Sequence, residues 1–224
     1  MGKTAIIIGA TGLIGNELLN LLLNDSEFEK VKIFVRKSQS ITNSKLEQHI
    51  VNFDSIENFS SLITGDVCYC CLGTTINTAG SKEAFTKVDY TYPTEFAKIA
   101  KNNGIANFLL ISSIGANKNS SNFYLKVKGD TEYALEQLNF KHLALLRPSM
   151  LLGKRTEFRL GESIGKIAMK LFSFAFIGSL KAYKAIEATT VAKAMIVLSK
   201  KMFTNDASKH QIVLSDKIQE LGEI

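Results

Sequence analysis

Short apolar runs recur along the first two thirds of the chain, and most are followed by a longer stretch whose apolar residues repeat at helical spacing. Runs of this length that are rich in β-branched residues and bounded by Gly, Asn, Asp or Pro are typical of buried strands. The run at 66–72 is almost continuously apolar, as expected for a parallel strand covered on both faces. The six runs predict strands at residues 4–8, 31–35, 50–53, 66–72, 107–111 and 142–146.

The amphipathic stretches between and after these runs predict helices. Pro93 lies inside one of them and predicts either a kink or a new helix start. Because strands alternate with helices along the chain, we expect an α/β fold with a doubly wound parallel sheet. The predicted helices cover residues 13–23, 82–102, 123–138, 164–176 and 189–200, and a late edge strand is predicted at 211–214.

Composition and charge narrow the possible functions only slightly. Hydrophobic residues make up 46% of the 224 residues and charged residues 21%, which is ordinary for a globular protein. The formal net charge is +6, but the cations are spread along the chain, so they favour a solvated surface over a nucleic-acid face. The longest apolar run, 171–180, is about half the ~20 residues that a membrane-spanning helix needs, so no membrane span is expected.

The three cysteines, Cys68, Cys70 and Cys71, lie in one apolar run. A disulfide framework would distribute its cysteines along the chain, and no His lies nearby to complete a metal site. The sequence therefore predicts buried, reduced thiols and no bound metal. Reduced cysteines and the lack of a signal peptide favour a cytoplasmic location.

Glycine recurs at every third position directly after the first predicted strand, at Gly9, Gly12 and Gly15. Gly9 permits a tight turn, Gly12 lets the backbone approach a diphosphate, and Gly15 allows close helix–strand packing. The start of the following helix offers free N–H groups to the phosphates. This context favours a dinucleotide-binding turn of the Rossmann type over a turn that merely needs small residues. The residues predicted to contact the cofactor here are Gly9, Thr11, Gly12, Leu13, Ile14 and Gly15.

Two cations, Arg36 and Lys37, follow the second predicted strand. A site selective for NAD usually has Asp or Glu at this point, where the carboxylate binds the ribose 2′-hydroxyl. An arginine can instead pair with a 2′-phosphate. We therefore expect NADP(H) as the cofactor, the alternative being a pair of surface cations at a strand end.

Hydroxyl groups and a lysine follow the fifth predicted strand. Ser112 and Ser113 stand at its carboxyl end, where ligands of parallel sheets lie, and Tyr124 and Lys128 share one face of the next helix. The ammonium of Lys128 would stabilise the phenolate of Tyr124 and so make the tyrosine an effective acid–base group. Tyr124 could then protonate a substrate carbonyl that Ser113 holds, while Lys128 also reaches the nicotinamide ribose. Such a tyrosine–lysine pair also occurs by chance in many helices.

In combination these residues resemble the short-chain dehydrogenase/reductase superfamily, and most closely its atypical members related to the Tat-interacting tumour-suppressor oxidoreductases. The similar segments are 9–15, 70–75, 112–116, 122–124, 127–130 and 147–152, together with Arg159. The resemblance implies an NADPH-binding fold with the Ser-Tyr-Lys site retained. It also implies that Leu72, Gly73 and Thr74 lie beside the cofactor, and that Pro148, Leu151 and Arg159 line its nicotinamide end.

The chain departs from the family pattern at two points. The spacing from serine to tyrosine is tight, so the catalytic hydroxyl is either Ser112 or Ser113. Ser149 stands where many members have Gly. We expect one domain over residues 1–224, with a cofactor-binding core at 1–150 and a substrate-side extension at 151–224 that forms part of the cleft.

Two functions fit this pattern best. The first is an NADPH-dependent reductase that acts on a small carbonyl compound through Ser113, Tyr124 and Lys128. The second is a non-catalytic NADP(H)-responsive regulator that acts through a protein partner. A nucleotide-sugar epimerase or dehydratase is less expected, because only about 75 residues follow the sixth strand.

Overall fold

The computed structural model describes residues 2–153, 184–204 and 206–223. The predicted cofactor contact Arg159, the predicted helix at 164–176 and the apolar run at 171–180 lie outside the described residues.

Within the described part, seven strands form one parallel sheet in the order β3-β2-β1-β4-β5-β6-β9. The chain first builds outward from β1 to β3 and then crosses to β4 on the other side. The crevice at this reversal, between the carboxyl ends of β1 and β4, is where dinucleotide-binding sheets hold their ligand. The strands are β1 Lys3–Ile8, β2 Phe28–Val35, β3 Leu46–Ile50, β4 Val67–Cys70, β5 Asn107–Ile111, β6 His142–Arg147 and β9 His210–Leu214.

Helices cover both faces of the sheet because its central strands are apolar on both faces. Ala5 and Ile7 of β1 pack into one core with α1 and α6, whereas Ile6 and Ile8 pack into a second core with α4. The doubly wound α/β prediction is therefore confirmed. The helices are α1 Leu13–Asn24, α2 Ile76–Ala79, α3 Lys82–Thr86, α4 Tyr92–Asn102, α5 Phe123–Gln137, α6 Ala188–Phe203 and α7 Ser215–Gly222.

The predicted third strand at 50–53 is wrong in position. The strand is Leu46–Ile50, and Phe53–Leu62 forms a 3-10 segment that begins after Asn52. Among the described strands β3 pairs only with β2, so it lies at the sheet edge and needs no continuous apolar sequence. The apolar residues that suggested a strand include Phe53, which packs under the sheet from the 3-10 segment.

The region around Pro93 is interrupted, as its sequence predicts. The predicted helix at 82–102 consists of α3, a π-helical turn at Lys87–Thr91 and α4, in which Pro93 lies in the first turn. The π-helical turn at Lys87–Thr91 contributes a buried residue, Asp89, to the candidate site.

The end of the chain joins the same sheet. Helix α6 packs against α1, and β9 pairs with β6, which confirms the late edge strand. The sequence did not predict α7 or the short parallel pair of β7, Leu151–Leu152, and β8, Ile186–Glu187. The division of the chain at residue 150 stays a prediction, although residues 188–214 contribute to the central sheet and its core.

Candidate functional site

The glycine turn between β1 and α1 is held by close backbone contacts. Gly9 has φ +82°, and a Cβ there would lie 2.5 Å from the backbone of Cys71. A Cβ on Gly15 would lie 2.1 Å from the Gly9 carbonyl oxygen, which accepts a hydrogen bond from the Gly12 N–H at 3.0 Å. These distances exclude any side chain at Gly9 and Gly15.

The surface above Gly12 is open, as a diphosphate site requires. Gly12 is exposed, and the nearest atoms to a Cβ there are the carbonyl oxygens of Gly9 and Cys71, at 3.2 and 3.9 Å. Gly12 is also the N-cap of α1, and no side chain of the described residues caps this helix. The first N–H groups of α1 are therefore available to an anion.

The other predicted residues of this turn take different positions. Thr11 is exposed beside Gly12, whereas the Ile14 side chain is buried in the core and leaves only its backbone toward the turn. Leu13 packs against Gly153, where a Cβ would lie 2.7 Å from Leu13 Cδ1. Gly153 directly follows β7, in which Leu151 is half-buried. The contact therefore brings the end of β7 to the start of α1.

Arg36 and Lys37 directly follow β2, which pairs in parallel with β1. Both side chains are exposed at the same carboxyl edge of the sheet as the glycine turn. They lie on the β2 side of the crevice, whereas the serine, tyrosine and lysine lie on the β5 side.

The loop after β4 connects the glycine turn to the predicted lysine. Leu72 is half-buried and Gly73 is exposed. A Cβ on Gly73 would lie 3.7 Å from Lys128 Nζ and 3.5 Å from Asp89 Oδ1. The Thr74 N–H donates a hydrogen bond to Asp89 Oδ2 at 2.9 Å.

The two candidate serines differ in their surroundings. Ser112 is buried, and its Oγ has no hydrogen-bond partner within the part of the chain that the structure describes. Ser113 is half-buried, and its Oγ donates to the Ile114 carbonyl at 3.3 Å. The Ile114 N–H in turn donates to the Pro148 carbonyl at 3.0 Å, which joins the loops after β5 and β6.

Lys128 is buried as half of an ion pair on α5. It is 6% exposed, and its Nζ lies 2.7 Å from Oδ1 of Asp89, which is 1% exposed. Burial lowers the pKa of Lys128, but the charges of Asp89 and Tyr124 raise it by more, so its net pKa lies above the ordinary value. Tyr124 is half-buried and its ring packs against Phe85 at 5.6 Å between centroids. The site therefore holds a charged ammonium one helical turn from a phenol.

Sequence reasoning did not identify Asp89. The available signal was an acidic residue on the buried face of the predicted helix, four positions before Pro93. It also did not identify Glu132, a buried carboxylate one turn after Lys128. Arg147 holds Glu132 in a two-pronged contact, with Nε to Oε1 at 2.9 Å and Nη2 to Oε2 at 2.5 Å.

The cysteines contribute no reactive group to the site. All three are free thiols, and Cys68 and Cys70 are fully buried. Burial raises the pKa of Cys70 to about 12 although Lys128 acts against this shift. Within residues 2–153, 184–204 and 206–223 no group of His, Cys, Asp and Glu is placed to hold a metal ion. Among the helices in these ranges none is long and apolar enough to cross a bilayer.

A nicotinamide dinucleotide fits the chemistry of this edge of the sheet. The uncapped start of α1 and the open surface over Gly12 suit a diphosphate. The Ser112 hydroxyl, which has no hydrogen-bond partner among the described residues, and the buried ammonium of Lys128 supply polar groups on the β5 side of the crevice. The start of α1, the Gly73 loop and Ser112 follow β1, β4 and β5, whose carboxyl ends lie side by side near the strand-order reversal, and Lys128 lies on α5 beside the Gly73 loop.

Comparison with known proteins gives three results. A family model described as NAD(P)H-binding matches residues 9–169. Protein HTATIP2 of Rattus norvegicus is 36% identical over 202 residues, covering 87% of this chain and 80% of that protein. The protein named "FMP52, mitochondrial" of Candida albicans is 31% identical over 217 residues, covering 94% of each.

Solved structures show the same fold at much lower identity. The UDP-Glc/GlcNAc 4-epimerase of Campylobacter jejuni matches with a TM-score of 0.72 at 11% identity, covering 98% of this chain and 82% of the epimerase. The Bordetella bronchiseptica enzyme WbmH, solved in complex with NAD+, matches with a TM-score of 0.69 at 15% identity, covering 89% of this chain and 73% of WbmH. At these identities the match demonstrates a shared fold.

Proposed function

Because the chain belongs to the NAD(P)H-binding family, we propose that it is an NADPH-dependent oxidoreductase that reduces a small carbonyl compound. The family membership, with the HTATIP2 and FMP52 relatives, confirms the resemblance to atypical short-chain dehydrogenases/reductases and the Rossmann-type fold. The proposal that the protein reduces a carbonyl compound depends on one observation. Lys128, buried and charged, lies one helical turn from Tyr124 beside the loop that carries Gly73.

The reaction needs a proton donor next to the carbonyl oxygen. The bound cofactor would supply hydride to the carbonyl carbon. Tyr124 donates the phenol proton to the oxygen, and the ammonium of Lys128 stabilises the phenolate that remains. Ser113 donates a hydrogen bond to the same oxygen and so orients the substrate. Ser112, whose hydroxyl has no partner in residues 2–153, 184–204 and 206–223, is the second candidate for this role.

Arg36 and Lys37 would select the phosphorylated cofactor. Both are exposed after β2, on the side of the crevice where the adenosine ribose lies in this fold. A guanidinium there pairs with the 2′-phosphate of NADPH but gains little from the 2′-hydroxyl of NADH. The residues proposed to select the cofactor, Arg36 and Lys37, are therefore different from the proposed proton donor, Tyr124. Cofactor selectivity and proton transfer can be tested separately.

Titration with NADPH and NADH tests the cofactor. Arg36→Gln removes a charge-assisted contact worth about 1.5–3 kcal/mol, so the Kd for NADPH rises about 10-fold or more while the Kd for NADH hardly changes. Lys30→Gln, at the opposite end of β2, is the matched control. Equal affinities of the unaltered protein for NADPH and NADH contradict the role of Arg36, and no affinity for either contradicts the whole proposal.

Turnover on a panel of aldehydes and ketones tests the chemistry. Tyr124→Phe should lower kcat by about 10²–10⁴-fold and leave NADPH affinity nearly unchanged. Tyr133→Phe, an exposed tyrosine of the same helix, is the control. Activity that survives Tyr124→Phe contradicts the mechanism. NADPH binding without turnover on any carbonyl supports instead a regulator that acts through a protein partner.

We also propose a cytoplasmic location, on the basis of the three free cysteines. Because the FMP52 relatives are named mitochondrial, fractionation of cells into cytosol and mitochondria is the direct test.

A further inference from the structure

The connection between β2 and β3 carries the two cations Arg36 and Lys37. Parallel strands are usually joined through a helix, but residues 36–45 form only bends, a turn and irregular backbone. The connection leaves the carboxyl end of β2 with the two cations and returns to the amino end of β3. Both cationic side chains are exposed, so the direction in which they extend depends on how firmly this backbone is held.

One side chain of β3, Gln48, holds the backbone of this connection. Gln48 Oε1 accepts a hydrogen bond from the Gln39 N–H at 2.9 Å, and Gln48 Nε2 donates to the Gln39 carbonyl, also at 2.9 Å. The same Nε2 donates to the Ile41 carbonyl at 3.3 Å. The side-chain amide therefore pairs with the backbone of the connection much as the main chain of a neighbouring strand would.

The contacts of Gln39 and Ile41 extend from Gln48 toward the cations and into the core. Gln39 Nε2 donates to the Lys37 carbonyl at 2.8 Å. Ile41 packs against the core cluster that contains Ile33 of β2, and Ile33 is the register partner of Gln48. The connection is therefore fixed to the sheet from Ile41 back to Lys37, the residue directly after Arg36.

A glutamine suits this position because its amide offers both kinds of hydrogen-bonding group. Gln48 is half-buried, and the backbone groups that it meets on Gln39 and Ile41 are partly buried as well. Buried backbone N–H and C=O groups need partners, and the amide supplies one acceptor and two donors in one plane. A leucine of similar size would fill the space but leave all three backbone groups without this partner.

We propose that Gln48 is a positioning residue for cofactor selection: through Gln39 it holds the backbone of Arg36 and Lys37 in the conformation that receives the 2′-phosphate of NADPH. This inference rests on the proposed function, in which the two cations bind that phosphate. A connection that Gln48 holds does not have to be ordered by the cofactor, so less of the interaction with the phosphate is lost on binding.

The test compares Gln48→Leu with Gln137→Leu, which changes an exposed glutamine at the end of α5. The Kd values for NADPH and NADH are measured from the fluorescence of the reduced nicotinamide. Gln48→Leu should raise the Kd for NADPH about 3–10-fold and hardly change the Kd for NADH, because only NADPH carries the 2′-phosphate. Gln137→Leu should change neither. A purely structural role of Gln48 would weaken both nucleotides alike and leave the ratio of the two Kd values unchanged.

The same substitution in a background without the cations tests whether Gln48 acts through them. In Arg36→Gln/Lys37→Gln the backbone of the connection carries no charge to the phosphate. Adding Gln48→Leu to this background should therefore leave the Kd for NADPH unchanged, whereas independent effects would add.

A second variant covers the case in which Gln48→Leu does not fold, as judged by circular dichroism. Gln39→Leu keeps the backbone bonds between Gln39 and Gln48 and removes only the side-chain bond to the Lys37 carbonyl. It should raise the Kd for NADPH about 2-fold or more and hardly change the Kd for NADH.

A folded Gln48→Leu protein whose ratio of Kd values matches that of Gln137→Leu overturns the inference and leaves the proposed function intact. An effect of Gln48→Leu that persists undiminished in the background without the cations also overturns it. If Gln48→Leu is unfolded, a Gln39→Leu protein with unaltered Kd values does so. If the unaltered protein binds NADPH no more tightly than NADH, the selection of NADPH in the proposed function fails, and the inference fails with it.

Discussion

Arg147 neutralises the buried carboxylate of Glu132, which belongs to the helix that carries Tyr124. Glu132 is 3% exposed, and both of its oxygens bind the guanidinium of Arg147, which stands at the end of β6. Arg147→Met keeps most of the side-chain volume but leaves Glu132 without its cation. Breaking a buried pair in this way costs about 3–5 kcal/mol, because the remaining charge is desolvated and uncompensated.

For Arg147→Met we expect a loss in the free energy of unfolding near the lower end of that range. The Arg147 side chain is 21% exposed, so water can approach the end of the pair and replace part of the lost interaction. About 3 kcal/mol then corresponds to a decrease of about 6–12 °C in Tm for a chain of this size. Lys126→Met breaks an exposed pair with Asp130 on the same helix and should cost only about 0.5 kcal/mol.

Urea unfolding followed by circular dichroism measures both variants. The double variant Arg147→Met/Glu132→Leu removes both charges, so it should recover most of the stability that Arg147→Met loses. A loss below about 1 kcal/mol for Arg147→Met would show that Glu132 is adequately solvated without Arg147. A double variant that is less stable than Arg147→Met would show that the loss comes from packing and not from a buried charge.

Two further predictions concern α5 and the end of α6. Gly129→Ala should lower the free energy of unfolding, measured in urea, by about 1–3 kcal/mol. The new Cβ would lie 2.2 Å from the backbone N of Lys118. The gain of about 0.5–1 kcal/mol in helix propensity does not offset this overlap. Burial raises the pKa of Asp25, but its hydrogen bonds with Lys200 and the backbone of Glu27 lower it by more, so its folded pKa lies below the unfolded value. The resulting stabilisation is complete at neutral pH and is lost as the pH falls through the folded pKa, so Lys200→Met should lower Tm at pH 7 and make little difference at pH 2.

The central strands were predictable because they are buried on both faces, and the helices that cover them because one face of each is buried. The strand at Asn107–Ile111 has the predicted bounds, and α1 and α5 begin at the predicted residues. In these elements the local pattern of apolar residues directly records burial. The edge strand β3 was misplaced, because a strand with one neighbour and a partly exposed face carries a mixed sequence.

The sequence alone determined the glycine turn, the helical spacing of Tyr124 and Lys128, and the helix interruption at Pro93, because each depends on residues close together in the chain. Only the tertiary structure decided that Asp89 meets Lys128 and that Arg147 meets Glu132. Each pair joins two separate elements, so neither is visible in the local pattern. A buried charge must find its partner wherever packing brings one within reach, and that place is set by the whole sheet and its helices.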